Sequence, residues 1–440
     1  MKRRKTSVWK FIFVLVLLLQ FNFKLQAQQN SIEMVNMLNN ESAELRNSDG
    51  TASLNAAEKA LDIATKINYR KGIAISERYI GIIHFFTGEY QLAENHYLKS
   101  LQIFKLLNDS NGLFDCYNNL GYLYQETAEF EKAISYYNKA LMIAYYTQNN
   151  ENMSSIQLNK GMLYYYQGKF FKALDCFKIS LKIDHDRKAY DEEMFALNNI
   201  GTTYEMLEYY PLAINSYYDA YEIAFRTNNI LMQGKILNNM GKVLNSMGYY
   251  KLAFDFLNNA IVIRDEINDK SGMLISLMNF GLLYHNMNLY EKEAETFHLA
   301  LKIAEEIDDQ RNIAVCLNMI GINLIRKKDY QKALSYFDES IQLAKSIESM
   351  PEIAMNYEQM CIANLFDGNK KQALIDYKNY RNIYDSIRSM DSTFVLPNKY
   401  ASPKHKSRVE NKKNNLFSLI YIPFILGLII LIIKSYRKKQ

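Results

Sequence analysis

Apolar and small residues recur along this chain at helical spacings of three, four and seven, and the whole set repeats every forty residues. The copies register on Gly81, Gly121, Gly161, Gly201, Gly241, Gly281 and Gly321, with Cys361 in the eighth slot. Three places after the glycine stand Tyr124, Tyr164, Tyr204 and Tyr284, and nine after it Tyr90, Phe130, Phe170, Tyr210, Tyr250, Tyr290 and Tyr330. Twelve after it the column is small (Ala93, Ala133, Ala173, Ala213, Ala253, Ala333), with Glu293 the exception. Sixteen after it an aromatic returns in Tyr97, Tyr137, Phe177, Tyr217, Phe297, Phe337 and Tyr377. Nineteen after it the column is small again, from Ser100 and Ala140 to Ser340. A fixed period of this length marks one helical hairpin copied along the chain.

Short breaks divide each copy into two helices, as at Thr87-Gly88-Glu89, Gln167-Gly168-Lys169 and Asp367-Gly368-Asn369. Glycine there permits the left-handed conformation that ends a helix. Ala128, Glu208 and Lys328 fill the same slot, so they are expected to bear strain or to close the turn differently. Between copies the breaks are polar, as in Asn108-Asp109-Ser110-Asn111-Gly112. Pro211 falls where a second helix should begin, and Pro351 falls in an expected loop between copies.

This column pattern resembles the tetratricopeptide repeat, over about residues 31 to 390, in a forty-residue variety similar to that of kinesin light chains and cell-polarity adaptors. The resemblance implies an all-α fold, an α-solenoid of about nine helix-turn-helix pairs forming a right-handed superhelix. The solenoid is expected over 28–390, with 31–67, holding Ala57, Ala60 and Leu61, as a degenerate capping pair.

The two ends read differently. Residues 1–27 have a basic start, an apolar run from Phe11 to Leu19, and Leu25-Gln26-Ala27 before Gln28, the layout of a secretory signal peptide. An uncleaved anchor would leave the repeats on the same side of a membrane. A basic linker over 391–415 leads to residues 416–433, which carry no charge and read as a transmembrane helix. At helical rise they reach roughly 27 Å, about a hydrocarbon core. Basic residues flank this span on both sides, so the signal decides its orientation. The expectation is a single C-terminal span in a bacterial inner membrane, with the repeats extracytoplasmic and 434–440 a short cytoplasmic tail.

Charge narrows the partners. The chain holds 52 basic and 47 acidic residues, but 1–27 and 404–440 contain fifteen of the basic ones and one of the acidic. The repeat region is therefore near −9, without the basic footprint that nucleic acid requires. Cys116 and Cys316 share a column five copies apart, and Cys176 and Cys361 have no matching neighbour, so free thiols are expected. The histidines show no zinc spacing, and Asp184-His185-Asp186 reads as a polar loop triplet. With no nucleophile motif and no phosphate loop, the expectation is a protein without catalytic residues, metal or cofactor.

The candidate binding surface is a ladder of asparagines. Asn119, Asn159, Asn199, Asn239 and Asn279 stand two places before the glycine, and Asn118, Asn198, Asn238 and Asn318 three before it. Asparagine is a mediocre helix former, so its recurrence mid-helix needs a reason. One amide per copy offers a donor and an acceptor to an extended peptide backbone. In the families resembled, a similar column lines a concave groove that grips peptides. The competing expectation is that the amides bond to neighbouring helices and loops. Tyr122, Met162, Tyr165 and Tyr166 lie nearby as anchors for ligand side chains. These readings lead to a membrane-anchored scaffold binding a protein or peptide in its groove. The alternative follows from a second resemblance, to the extracytoplasmic repeat-plus-span half of bacterial sensor kinases and regulators. It would make the chain the input module of a signal-transduction system acting through a separate kinase or regulator.

Overall fold

The computed structural model describes residues 26, 28–46 and 48–390. The expected linker, span and tail, and all but residue 26 of the segment expected to end at 27, lie outside them. No helix among the described residues is long and apolar enough to cross a membrane.

The described residues contain eighteen helices and no strand. After α1 (28–45) come α2 (Gly50–Lys66), α3 (Arg70–Phe86), α4 (Tyr90–Leu107), α5 (Ser110–Glu126) and α6 (Phe130–Tyr146). Next are α7 (Asn150–Tyr166), α8 (Phe170–Arg187), α9 (Tyr190–Met206), α10 (Tyr210–Arg226), α11 (Ile230–Ser246) and α12 (Tyr250–Glu266). The last are α13 (Lys270–Asn286), α14 (Tyr290–Glu306), α15 (Gln310–Arg326), α16 (Tyr330–Ser346), α17 (Met350–Phe366) and α18 (Lys370–Met390).

They fall into two compact units, one of the residues up to 166 with 171–188, the other of 167–170 with residues from 189 onward. In the first, α3 packs on α4, α4 on α5, α5 on α6 and α6 on α7, while α3 also touches α5 and α5 touches α7. In the second the same order runs from α9 to α18, and α11 touches both α9 and α13.

Within each hairpin the glycine column meets the column sixteen places on. A β-carbon at Gly161 would stand 2.4 Å from the Phe177 ring, and one at Gly201 2.6 Å from the Tyr217 ring. Gly81, Gly121, Gly281 and Gly321 face Tyr97, Tyr137, Phe297 and Phe337 in the same way. Leu257 takes the ring's place against Gly241. All seven of these facing side chains are buried. In the eighth copy Cys361 occupies the glycine slot, and its partner Tyr377 is 48% exposed. A ring without a bare α-carbon to lie on is displaced into solvent.

The joints repeat at half the sequence period. Every twentieth residue from Asn68 to Glu348 and Gly368 has a positive φ, whether the joint lies inside a copy or between copies. Most of them close with the same backbone bond, as in Glu89 N–H to His84 carbonyl at 2.8 Å and Asn149 N–H to Ala144 carbonyl at 3.0 Å. Ala128, Glu208 and Lys328 adopt the common turn at φ 58°, 58° and 61°, so they bear strain instead of closing differently. For a non-glycine residue that conformation costs about 1–2 kcal/mol. Asn68, Asn108, Asn228, Asn268 and Asn288 tolerate it better, because a short amide side chain can bond locally. Several first helices then begin on an Asx cap, such as Asp109 Oδ1 accepting from Gly112 N–H at 3.0 Å.

Two expectations change. Pro351 lies in the first turn of α17 and not in a loop, where its missing N–H leaves no helical bond unmade. Asp184-His185-Asp186 is the end of α8 and not a solvated turn. Asp184 is buried there and accepts from Ser154 Oγ at 2.6 Å, Ser180 Oγ at 3.1 Å and Arg187 Nη1 at 3.1 Å. Glu293 is 1% exposed in its alanine column, and its carboxylate takes His285 Nδ1 at 3.0 Å and Arg326 Nη1 at 2.8 Å. The four cysteines are free.

Gly161→Ala should lower the unfolding free energy by about 1–3 kcal/mol in chemical denaturation, the usual cost of overpacking. Phe177→Leu in the same chain should restore part of that loss. An unchanged midpoint in the single variant would show that the ring has room to move aside.

Candidate functional site: an amide strip on the first helices

The asparagines of the ladder stand mid-way along α5, α7, α9, α11, α13 and α15. Most of them face one another across neighbouring first helices. Asn159 Nδ2 donates to Asn118 Oδ1 at 2.9 Å, Asn239 Nδ2 to Asn198 Oδ1 at 3.0 Å, and Asn279 Nδ2 to Asn238 Oδ1 at 2.9 Å. Each bond joins residues 41 apart, the later column of one copy to the earlier column of the copy before. Asn238 Nδ2 also donates to Asn239 Oδ1 at 3.4 Å. Asn279, Asn238, Asn239 and Asn198 therefore form one continuous amide ribbon. The 41-residue step recurs two helical turns further on, where Asn286 donates to Asn245 at 3.0 Å and Arg326 Nη2 reaches His285 Nδ1 at 2.9 Å.

These bonds do not exhaust the amides. Each side chain carries two N–H donors and two acceptor lone pairs, and one bond in plus one bond out uses half of them. The strip thus ties helix to helix and keeps hydrogen-bonding capacity in hand, so packing and binding are compatible uses of one residue.

The individual positions differ. Asn159, Asn239 and Asn279 are half-buried, whereas Asn198 and Asn238 are buried beneath them. Asn199 is half-buried and makes no side-chain hydrogen bond among the described residues. Asn318 is 1% exposed and donates to Asn356 Oδ1 at 2.8 Å, which places it inside the packing and away from any ligand. Asn119 Nδ2 is buried without a partner. The residue 41 places before it is Arg78, a donor whose Nε is likewise unpartnered while its Nη2 meets Asp115 at 3.3 Å. Two donors cannot close a rung.

Beside the strip, Tyr122 is 43% and Tyr166 59% exposed, while Tyr165 and Met162 are half-buried. Tyr165 meets Tyr166 edge-on at 5.9 Å. Phe85 and Phe86 at the end of α3 belong with them, and Phe85 lies 5.2 Å from Tyr122. Their place four and five residues after Gly81, matching Tyr165 and Tyr166 after Gly161, was a signal in the sequence for including them. Lys242 and Glu205 form a 2.7 Å ion pair between α11 and α9. Among the described residues no three histidine, cysteine or acidic side chains gather as a metal site. The surface offers amide donors and acceptors edged by aromatic rings.

Helical hairpins copied in register and tied by side-chain amides define a helical-repeat protein. The tetratricopeptide-repeat family model matches residues 72–145 and 152–224, and this stretch carries tetratricopeptide repeats. No curated protein matches it. Its structure is similar to that of aspartyl phosphate phosphatase F from Bacillus subtilis, at a TM-score of 0.55 and 15% identity over 80% of this chain and 94% of that one. The apo form of the quorum sensor NprR from B. thuringiensis gives 0.54 at 12% identity, over 81% and 99% of the two chains. A Rap protein complexed with competence and sporulation factor gives 0.53 at 16% identity, also over 81% and 99%. At such identities the likeness is one of fold.

Asn239→Ala removes the centre of the ribbon and should cost about 1 kcal/mol of stability or more, because neighbours lose partners. Asn199→Ala breaks no side-chain bond and should stay within about 0.5 kcal/mol of wild type. Equal losses in a denaturation titration would mean that the two positions are not distinguished by their bonds.

Proposed function

We propose that the chain is a non-catalytic scaffold that holds an extended peptide or protein segment along the amide ribbon of α9, α11 and α13. The observation that carries this reading is the ribbon itself, a file of half-satisfied amides spaced one per copy. A peptide backbone presents alternating donors and acceptors, so such a file can hold it while reading few of its side chains. The Rap protein of similar fold, complexed with competence and sporulation factor, supports a binding role for this architecture.

The test is retention of peptides from an envelope extract on the immobilised full chain, comparing wild type with Asn199→Ala. A lost hydrogen bond of about 1 kcal/mol corresponds to roughly fivefold weaker retention. Equal retention by a variant of unchanged stability would remove the strip from binding.

We further propose that the repeats are displayed outside the cytoplasm and held at an inner membrane, a reading that rests on the sequence of 1–27 and 416–433. Protease added to intact spheroplasts should then digest the repeats. Complete protection, with digestion after lysis, would overturn that placement.

A further inference from the structure

Some of the tyrosine faces in the repeats are occupied by the protein's own cations. Lys139 Nζ lies 4.4 Å from the Tyr136 ring centre, Lys132 Nζ 4.8 Å from Tyr124, and Arg78 4.8 Å from Tyr79. Arg326 lies 4.7 Å from Tyr290, and Lys292 5.7 Å from Tyr284. These contacts follow from the negative face that an aromatic ring presents to a positive charge.

At the C-terminal ends of α3, α5 and α7 and the start of α4, a cluster of exposed rings is left open. Phe85 is at its centre, 5.2 Å from Tyr122, 5.7 Å from Tyr90 and 5.6 Å from Phe86. Tyr166 is the matching exposed ring on α7, four residues beyond Met162 on the same helix face. Tyr90, Tyr122 and Tyr166 are exposed, and among the described residues none carries a cation over its face. Arg46 lies over the neighbouring Phe86 ring, 5.9 Å from its centre. Among these rings stands a carboxylate. Glu126 lies one helical turn after Tyr122, is exposed, and has no ion pair among the described residues. Burial raises the Tyr122 phenol above its usual value, and the nearby Glu126, Tyr166 and Tyr90 raise it further.

Open ring faces around an unpaired carboxylate are the chemistry that receives a positive head on an apolar stem. We propose that Phe85, Tyr90, Tyr122 and Tyr166, with Glu126, form the surface that takes a lysine or arginine side chain of a peptide lying along the Asn118–Asn159 rung of α5 and α7. The repeat region's net charge near −9 favours a basic segment over an acidic one. This inference rests on the amide-holding reading above, applied to the rung of α5 and α7, and specifies what that rung selects.

The test uses the full chain in detergent and fluorescein-labelled twelve-residue peptides that differ at one central position, carrying arginine, lysine, glutamine, leucine or glutamate. The arginine and lysine peptides should bind about tenfold tighter than the glutamine one, with the difference shrinking as salt rises. Tyr122→Leu and Tyr166→Leu keep apolar area and remove the ring faces. They should cost the arginine peptide about fivefold and leave the leucine peptide nearly unchanged. Both side chains are substantially exposed, so these variants should fold, which their helical circular dichroism and melting will check. Glu126→Lys should turn the preference toward the glutamate peptide. Arginine, glutamine and leucine peptides binding equally well would overturn the ring surface and leave the amide-holding reading intact. No binding of any peptide to a folded chain would overturn both.

Discussion

A ring lying on a bare α-carbon fixes how closely the two helices of each hairpin approach. Because Tyr137 rests on Gly121 and Phe177 on Gly161, the backbones come nearer than a side chain between them would allow. The small columns follow from that distance, since Ala133 and Ala140 sit where the same two helices leave no room for more. Leu257 against Gly241 shows that the requirement is for shape and not aromaticity. Cys361 with exposed Tyr377 shows the reverse case, in which the bare carbon is missing and the ring stays outside.

The amide strip does for successive hairpins what the ring contact does within one. An apolar seam resists sliding only weakly, because neighbouring apolar positions resemble one another. A hydrogen bond 41 residues long in sequence, as between Asn239 and Asn198, has a direction and a narrow range of length, so it fixes which turn faces which. The remaining lone pairs and N–H groups then stand in file at one copy per step. Recognition at such a strip is a by-product of alignment, and residues in the file serve both ends.

Much of this was legible in the sequence. The forty-residue columns named the hairpins, the glycine–ring pairing was implicit in the sixteen-place spacing, and the asparagine file was visible as two adjacent columns. Two features were not. The common backbone of all joints was hidden because Ala128, Glu208 and Lys328 carry no turn signature, and only the neighbours of Gly88 and Gly168 hinted at it. The buried charges were hidden because burial depends on the facing helix. Asp184 reads as a solvated turn until Ser154 on α7 is seen to donate to it, and Glu293 reads as an anomaly until Arg326 and His285 are found beside it. Among the asparagines, the two columns already divide interior Asn318, Asn238 and Asn198 from half-buried Asn199 and Asn239, but nothing in the spacing says which of the two columns faces inward.

The joints have a consequence for how such a chain can grow. Each turns through one residue in the same left-handed conformation, so a duplication beginning at any of them leaves a backbone that still turns correctly. Its side chains are less forgiving. An insertion of one helix would set a glycine-bearing face against another glycine-bearing face and strand a ring, whereas an insertion of a whole hairpin seats every ring again. Lineages of this protein can therefore change length at any joint, and only in steps of two helices.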